Sequence, residues 1–434
     1  MSMTKRLLVQ LQLSNYDSNG TFILEADSGF QMCFGRIREM LKLNPELVID
    51  VIGPKYLQLR TNPQQIVPDL FKTGRVRWLE TFIIPNALAT RYDFDVIEIA
   101  SLLFPKHAEK YDAVYVNDPM LLRHYKALFF LYGKYIPKFF VHSHFIDNPE
   151  SPKFPTEASL WQGQVEAAKK ADFNFWQCET SMNVFFDSMA KEYMPHVVEE
   201  VRAKSLPWDD GYSTEEILLP PNMNNVRFNV KEFEKLKKNK IVVFVPNRVG
   251  GRGRSSDYTN CGKFLFDIVP ELWKRRQDFI VVAGNPSQKF SNDELAELCP
   301  AYVRLVPDAF NRDEYRVVAS MSDIAGGFYD NDTYGGTAAR ECIELGCLPL
   351  WIDCNEYSAI ISEARMSKRA MLAKSDFSNM VDFLDEWIQW FLFERSHPNV
   401  RTFETTVKIL REVVRKRCSY ESTTPEMMKV MGLL

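Results

Sequence analysis

Apolar runs alternate with helix-period stretches twice along this chain, and no other feature limits the fold as much. That alternation is the βα pattern of a parallel sheet. In the first half the apolar runs at 7–13, 48–53, 96–99, 113–116, 139–142 and 174–177 are predicted strands. Between the first two lies FQMCFGRIREMLKL, where Phe34, Ile37, Met40 and Leu41 recur at helical spacing. The helix 158–171 follows later. Residues 195–240 break the pattern: they are polar and irregular, and LLPPNM within them carries two prolines that exclude regular structure. KIVVFV at 240–245 restarts it. Strands are predicted at 279–284, 302–306, 324–328 and 348–352, and a helix at 313–321. Pro270 kinks or breaks the helix around it. The tail, 381–396 and 403–417, reads as amphipathic helix.

With 434 residues the chain exceeds one ordinary core, so two domains are expected. Two α/β halves that face each other leave a cleft, where ligands usually bind. Hydrophobic residues make up 46% and charged residues 25%, and no apolar run is long enough to cross a membrane. The N-terminus reads as a first strand, not a signal peptide. The eight cysteines are scattered without a CxxC pair, which favours reduced thiols over a disulfide framework or a zinc site. The net charge of −4 does not announce a nucleic-acid binder.

The chemistry points to 330–353, DNDTYGGTAARECIELGCLPLWID. The stretch reads as a glycine loop, a helix from Thr337 to about Leu345 that Gly346 ends, and a strand. A loop and helix N-terminus that deliver N–H groups to one spot make an anion site, with phosphate the usual guest. Gly335, Gly336 and Thr337 would supply those groups. Glu341, about one turn in, could reach a sugar hydroxyl; Glu344, three residues on, is the other acid of the helix. A second basic element, PNRVGGRGRSS, follows the strand at 240–245. There Arg248 can pair bidentately with phosphate, and Arg252 and Arg254 add charge. In the first half, Gly29 stands at a helix start that faces the carboxyl edge of the sheet, where α/β proteins bind ligands. His142 follows a buried strand at the same edge, with His144 and Asp147 beside it.

On these residues the second half, roughly 217–355, resembles the donor domain of retaining GT-B glycosyltransferases. Arg248 matches the basic residue after that family's first donor-domain strand, and Arg252 or Arg254 the second one. VVAGNP at 281–286 matches its apolar strand ending in glycine, and Glu341, Gly346 and Pro349 match its Glu–Gly–Pro spacing. The family's first glutamate, eight residues before Glu341, is replaced by Thr333. Asp330 and Asp332 flank that position, and Asp332 is the candidate for the sugar contact. His142 is similar to the family's histidine near the reacting sugar. HSHFIDNP, AKKADF, SMAKEYMP and LLPPNMNNVRF further resemble phage DNA α-glucosyltransferases, which act on hydroxymethylated cytosine.

The resemblance implies an α/β chain of GT-B type: two facing Rossmann-like domains, a cleft between them and a C-terminal helical tail. Residues 1–222 would form the acceptor domain, with 415–434 packing back on it, and 223–414 the donor domain. The expected activity is retaining transfer of a sugar, glucose first, from a UDP-sugar such as UDP-glucose. The expected acceptor is a hydroxymethylated pyrimidine in double-stranded phage DNA. His142, Arg248 and Asp332 would be catalytic. Arg252, Arg254, Gly335, Gly336, Thr337, Glu341, Val306 and Gly29 would bind the donor, the base resting near Val306. No metal and no tightly bound cofactor are implied, and the protein would be a monomer in the cytoplasm, the host's if phage-encoded. Lys5, Arg36, Arg38, Arg123, Lys126 and Lys134 are the candidate DNA contacts. Two alternatives stay open: the same fold acting on a glycan, lipid or small molecule, and a non-catalytic nucleotide- or sugar-binding module.

Overall fold

The computed structural model describes residues 4–13, 16, 19–85, 92–104, 110–143, 158–208, 211–249, 262–286, 292–307, 310–328, 337–353, 355–397 and 399–434. The chain divides into two compact units, Met1–Ser213 with Cys418–Leu434, and Thr214–Arg417.

The first unit is built on a seven-stranded parallel sheet. Its strands are β1 (Arg6–Gln10), β2 (Val48–Pro54), β3 (Val76–Thr81), β6 (Ala113–Val116), β7 (Lys138–Ser143), β8 (Phe173–Trp176) and β9 (Ser205–Pro207). A small antiparallel hairpin, β4 (Ile83–Pro85) and β5 (Tyr92–Phe94), falls between β3 and β6. The sheet order is β3-β2-β1-β6-β7-β8-β9. Leu8, Val9, Ile49, Val51, Val114, Phe140 and Phe175 are buried in the middle of these strands. Continuous burial is what a parallel sheet covered by helices requires, and it explains runs without polar alternation. The last helix, Tyr420–Met431, packs on the helix Ser28–Leu43. A Cβ on Gly35 would fall 2.4 Å from the Tyr420 ring, so the helices can meet only because residue 35 is glycine.

The second unit holds β10 (Ile241–Val249), β11 (Phe279–Pro286), β12 (Ile324–Gly326), β13 (Leu348–Ile352) and β14 (Leu372–Ala373), in the order β11-β10-β12-β13-β14 and parallel throughout. Val242, Val243, Phe244, Ala325 and Leu350 form its centre, each essentially inaccessible.

The structure corrects the sequence reading at several places. The 96–99 run is the start of a helix, Val96–Leu103, because the Asp95 side chain accepts from the N–H groups of Ile97 and Glu98. That cap outweighs the strand preference of Val and Ile. The run 302–306 makes only a single bridge, Tyr302 to Val281. The stretch 195–240 is more regular than expected. Pro195 opens the helix Pro195–Ala203 from its first turn, where a missing N–H costs nothing, and β9 pairs with β8. Strand β3 escaped notice because Arg77 and Glu80 interrupt its apolar pattern at a sheet edge. Pro270 follows a π-helical turn, Phe264–Ile268, in which the Val269 N–H reaches back five residues to the Phe264 carbonyl. That is how this helix absorbs a missing donor. Among the described residues no helix is long and apolar enough to cross a membrane, and Cys33, Cys178, Cys299, Cys342, Cys347 and Cys418 are buried.

Candidate functional site

In the second unit the chain leaves β10 toward β11 on one side, then returns to place β12 on the other. The carboxyl ends of β10 and β12 therefore flank the point where strand order reverses, the crevice where open α/β sheets bind ligands. Arg248 lies at the end of β10, in register with Asn285 of β11 and beyond an irregularity after Val245. The helix Thr337–Glu344 follows β12 and starts at the same edge. Arg252, Arg254, Asp332, Gly335 and Gly336 lie outside the described residues, as do His144 and Asp147.

The helix Thr337–Glu344 is held firmly. The Tyr315 hydroxyl donates to the Ala338 carbonyl at 2.8 Å. Arg340 and Glu356 form an ion pair with side chains only 1% and 4% exposed. Gly346, at φ +109°, ends the helix, with the Cys347 N–H bonding the Cys342 carbonyl at 2.9 Å. Its two acids have different partners. Glu344 is fully buried and forked by Arg415, whose Nε stands at 2.8 Å. Glu341 faces Arg312, with Nη1–Oε2 at 2.9 Å and Nη2–Oε1 at 2.6 Å. Arg312 is the first residue of the helix Arg312–Met321, whose capping box pairs Asn311 with Glu314. Burial alone would push the Arg312 pKa down, but the Glu341 carboxylate beside it lifts it above its ordinary value. The Arg312 side chain keeps 40% of its exposure and also reaches Glu216 at 3.5 Å, whereas Glu341 is nearly buried, at 11%. Val306 is buried.

The first unit has a corresponding reversal between β1 and β6. Asp27 caps the helix Ser28–Leu43 by accepting from the Phe30 N–H at 2.9 Å. A Cβ on Gly29 would stand 2.0 Å from the Gln12 carbonyl oxygen, so this helix start can lie against the end of β1 only with glycine there. A cavity of about 10 Å³, room for one water, is lined by Gly29, Cys33, Arg36, Tyr115 and Asn117. Burial pushes the Cys33 thiol up to about 12, against the pull of Arg36, so it is no nucleophile.

His142 is fully buried at the end of β7. The Tyr115 hydroxyl lies 2.7 Å from its Nδ1, and Arg36 Nη1 donates to that hydroxyl at 3.0 Å and stands 3.5 Å from the same nitrogen. Which of the two groups donates in the Tyr115–His142 contact is set by the ring's tautomer. Arg36 also lies over the rings of Trp208 and Tyr420, at 5.9 and 5.6 Å. The sequence reading missed Tyr115 and took Arg36 for a candidate DNA contact, whereas Arg36 is buried. The only hint was Arg36's position two turns after the Gly29 helix start, on the face of Cys33 and Met40. Among the described residues no group of three or more His, Cys, Asp or Glu side chains is placed to hold a metal ion.

No protein-family model and no curated protein sequence matches the chain. Solved structures match over nearly its whole length. Anabaena HepE in complex with UDP-glucose superposes with a TM-score of 0.62 at 10% identity, covering 99% of this chain and 100% of that one. Sucrose-phosphate synthase from Thermosynechococcus elongatus gives 0.64 at 11%, covering 98% of each. A glycosyltransferase from Rickettsia africae gives 0.60 at 12%, covering 99% and 98%. This chain thus has the α/β architecture of the GT-B fold, with a C-terminal helical stretch.

Proposed function

We propose that the chain is a retaining glycosyltransferase that moves a hexose, glucose first, from a UDP-sugar to a hydroxyl acceptor. One observation carries this reading. The second sheet brings a basic strand end, a helix N-terminus and a clamped acid one turn into that helix to a single strand-order reversal. The GT-B likeness, and the UDP-glucose bound to HepE, support it.

In this reading the diphosphate meets Arg248, one of Arg252 or Arg254, and the amides of Gly336 and Thr337. They stabilise the charge that develops on the leaving group, usually the largest catalytic contribution. Glu341 accepts from the ribose hydroxyls while Arg312 holds its carboxylate in place. The base rests against backbone at Val306, and Asp332 binds sugar hydroxyls. His142 lies beside the reacting sugar, and the Gly29 helix start borders that place. The bond from C1 to the new oxygen forms on the face from which the phosphate oxygen departs. That oxygen takes the acceptor's proton, so configuration is retained. The donor is a co-substrate, and no tightly bound cofactor takes part.

The acceptor we propose is a hydroxymethylated pyrimidine in duplex DNA, which must be extruded from the stack to be reached. A second reading, a glycan, lipid or small-molecule acceptor, gains from the state of the basic residues. Arg36 is buried, Arg38 pairs with Asp69 at 3.1 Å, and Lys126 donates to the Lys170 carbonyl at 2.6 Å. Transfer of labelled glucose to hydroxymethylated duplex, falling steeply with salt, is the result expected for a DNA acceptor. Transfer to a glycan or lipid but not to that duplex selects the second reading. Binding without release of free nucleoside diphosphate makes the chain a non-catalytic module.

A further inference from the structure

The helix Leu122–Tyr132 between β6 and β7 buries Leu122, Tyr125, Leu128 and Phe129. A helix with one buried stripe is ordinarily polar on its other side. Here the other side carries Phe130, 76% exposed, and Leu131, 66% exposed. The turn after the helix adds Tyr135 and Ile136, also largely exposed. Residues 119–138 include Arg123, Lys126, Lys134 and Lys138 and no Asp or Glu, in a chain whose net charge is −4. The ammonium groups of Lys110 and Lys134 both stand over the Tyr135 ring, at 5.9 and 5.7 Å. Two carboxylates at the same sheet edge, Asp112 and Asp172, accept the backbone N–H groups of Arg6 and Phe139. The surface is an apolar knob ringed by positive charge.

The helix runs from the carboxyl end of β6 to the amino end of β7. Its apolar end therefore lies at the amino edge of the sheet, opposite the edge that holds Arg36, Tyr115 and His142. The apolar end is separate from the candidate site and its proposed role does not depend on donor binding; Lys126 and Lys134, candidate DNA contacts in the sequence, are here assigned to lipid instead.

We propose that this surface docks the protein on a membrane face containing anionic lipid. Charge selects the partner: each basic residue near an anionic leaflet favours binding by about fivefold. Leu131 and Ile136 select it further, since an aliphatic side chain gains from an acyl layer and has no hydrogen bond or stacking to offer a duplex. Tyr132 and Tyr135 suit the headgroup level, and the lysine stems reach outward past them. A second copy of this chain would bring like charge against like charge, which disfavours self-pairing.

Flotation of the full-length protein with phosphatidylcholine vesicles, with and without phosphatidylglycerol, tests the proposal. The wild type is expected to float with the anionic vesicles and not with the neutral ones. Two variants, Phe130→Ser/Leu131→Ser/Ile136→Ser and Lys134→Glu/Lys138→Glu, should each lower partitioning at least about tenfold. Both should keep the wild-type circular dichroism and the same thermal shift with UDP-glucose. The proposal is overturned if the wild type ignores anionic vesicles, or if both folded variants bind them as well as it does. It is also overturned if the triple substitution instead disperses a dimer, or if the charge reversal abolishes duplex DNA binding by a protein that binds no vesicles.

Discussion

Glu341 and Glu344 look alike in the sequence, three residues apart on one short helix. Their partners separate them, and those partners are remote: Arg312 is 29 residues away and Arg415 is 71. No local pattern carries that information. Both carboxylates are buried and each is forked by a half-exposed arginine; Glu341 is the one nearer the helix start. Replacing Glu341 with Ala should lower kcat/KM for sugar transfer at least about tenfold in protein that stays folded, as should replacing Arg248. Glu344→Gln should instead remove the charge that Arg411 and Arg415 meet and cost about 1–3 kcal/mol of stability in denaturant titration. Acid stability offers another check on a buried carboxylate. Burial alone would raise the Glu314 pKa, but the Arg227 guanidinium and the N–H groups of Asn311 and Arg227 hold it below its ordinary value. A lowered folded-state pKa means stability that is present above the unfolded value, about 4.3, and lost as pH falls through the folded one. The stability difference between wild type and Glu314→Gln should therefore be largest near neutrality and shrink below about pH 4.

At the scale of elements, the alternation of apolar and helical stretches revealed most of both sheets because their strands are buried on both faces. It failed where one local contact decided the matter. Asp95 turns Val96–Leu103 into a helix, and Pro195 starts a helix where composition suggested irregular chain. Strand β9 is three residues long, too short to show a period. Gly29 was chosen in the sequence for its place at a helix start, and the structure adds a steric reason. Gly29→Ala sets a methyl group against the Gln12 carbonyl and should cost about 1–3 kcal/mol, read as a lower urea midpoint with an unchanged m-value. Cys33, by contrast, is inert by burial, and thiol reagents should leave it unmodified in the native state.

For the whole molecule, the two α/β units were legible because the alternation restarts after a polar, proline-bearing stretch. The candidate donor set was legible as spacing: Arg248, then Glu341, Gly346 and Pro349. The first unit's Arg36–Tyr115–His142 arrangement was not, since it joins three separate elements that only folding brings together. A ligand that binds only the folded protein must stabilise it, by about 2.7 kcal/mol at a hundred times its dissociation constant. UDP-glucose should thus raise the melting temperature of the wild type and do so less for Arg248→Ala. The central claim, that this chain transfers a sugar from a nucleoside diphosphate sugar, is tested most directly by following UDP release from UDP-glucose together with labelled glucose in an acceptor. The account predicts the two in equal amounts with the wild type, and both reduced at least about tenfold in Glu341→Ala. Failure of the folded wild type to turn over any donor in a panel of sugar nucleotides, with every candidate acceptor present, would contradict it.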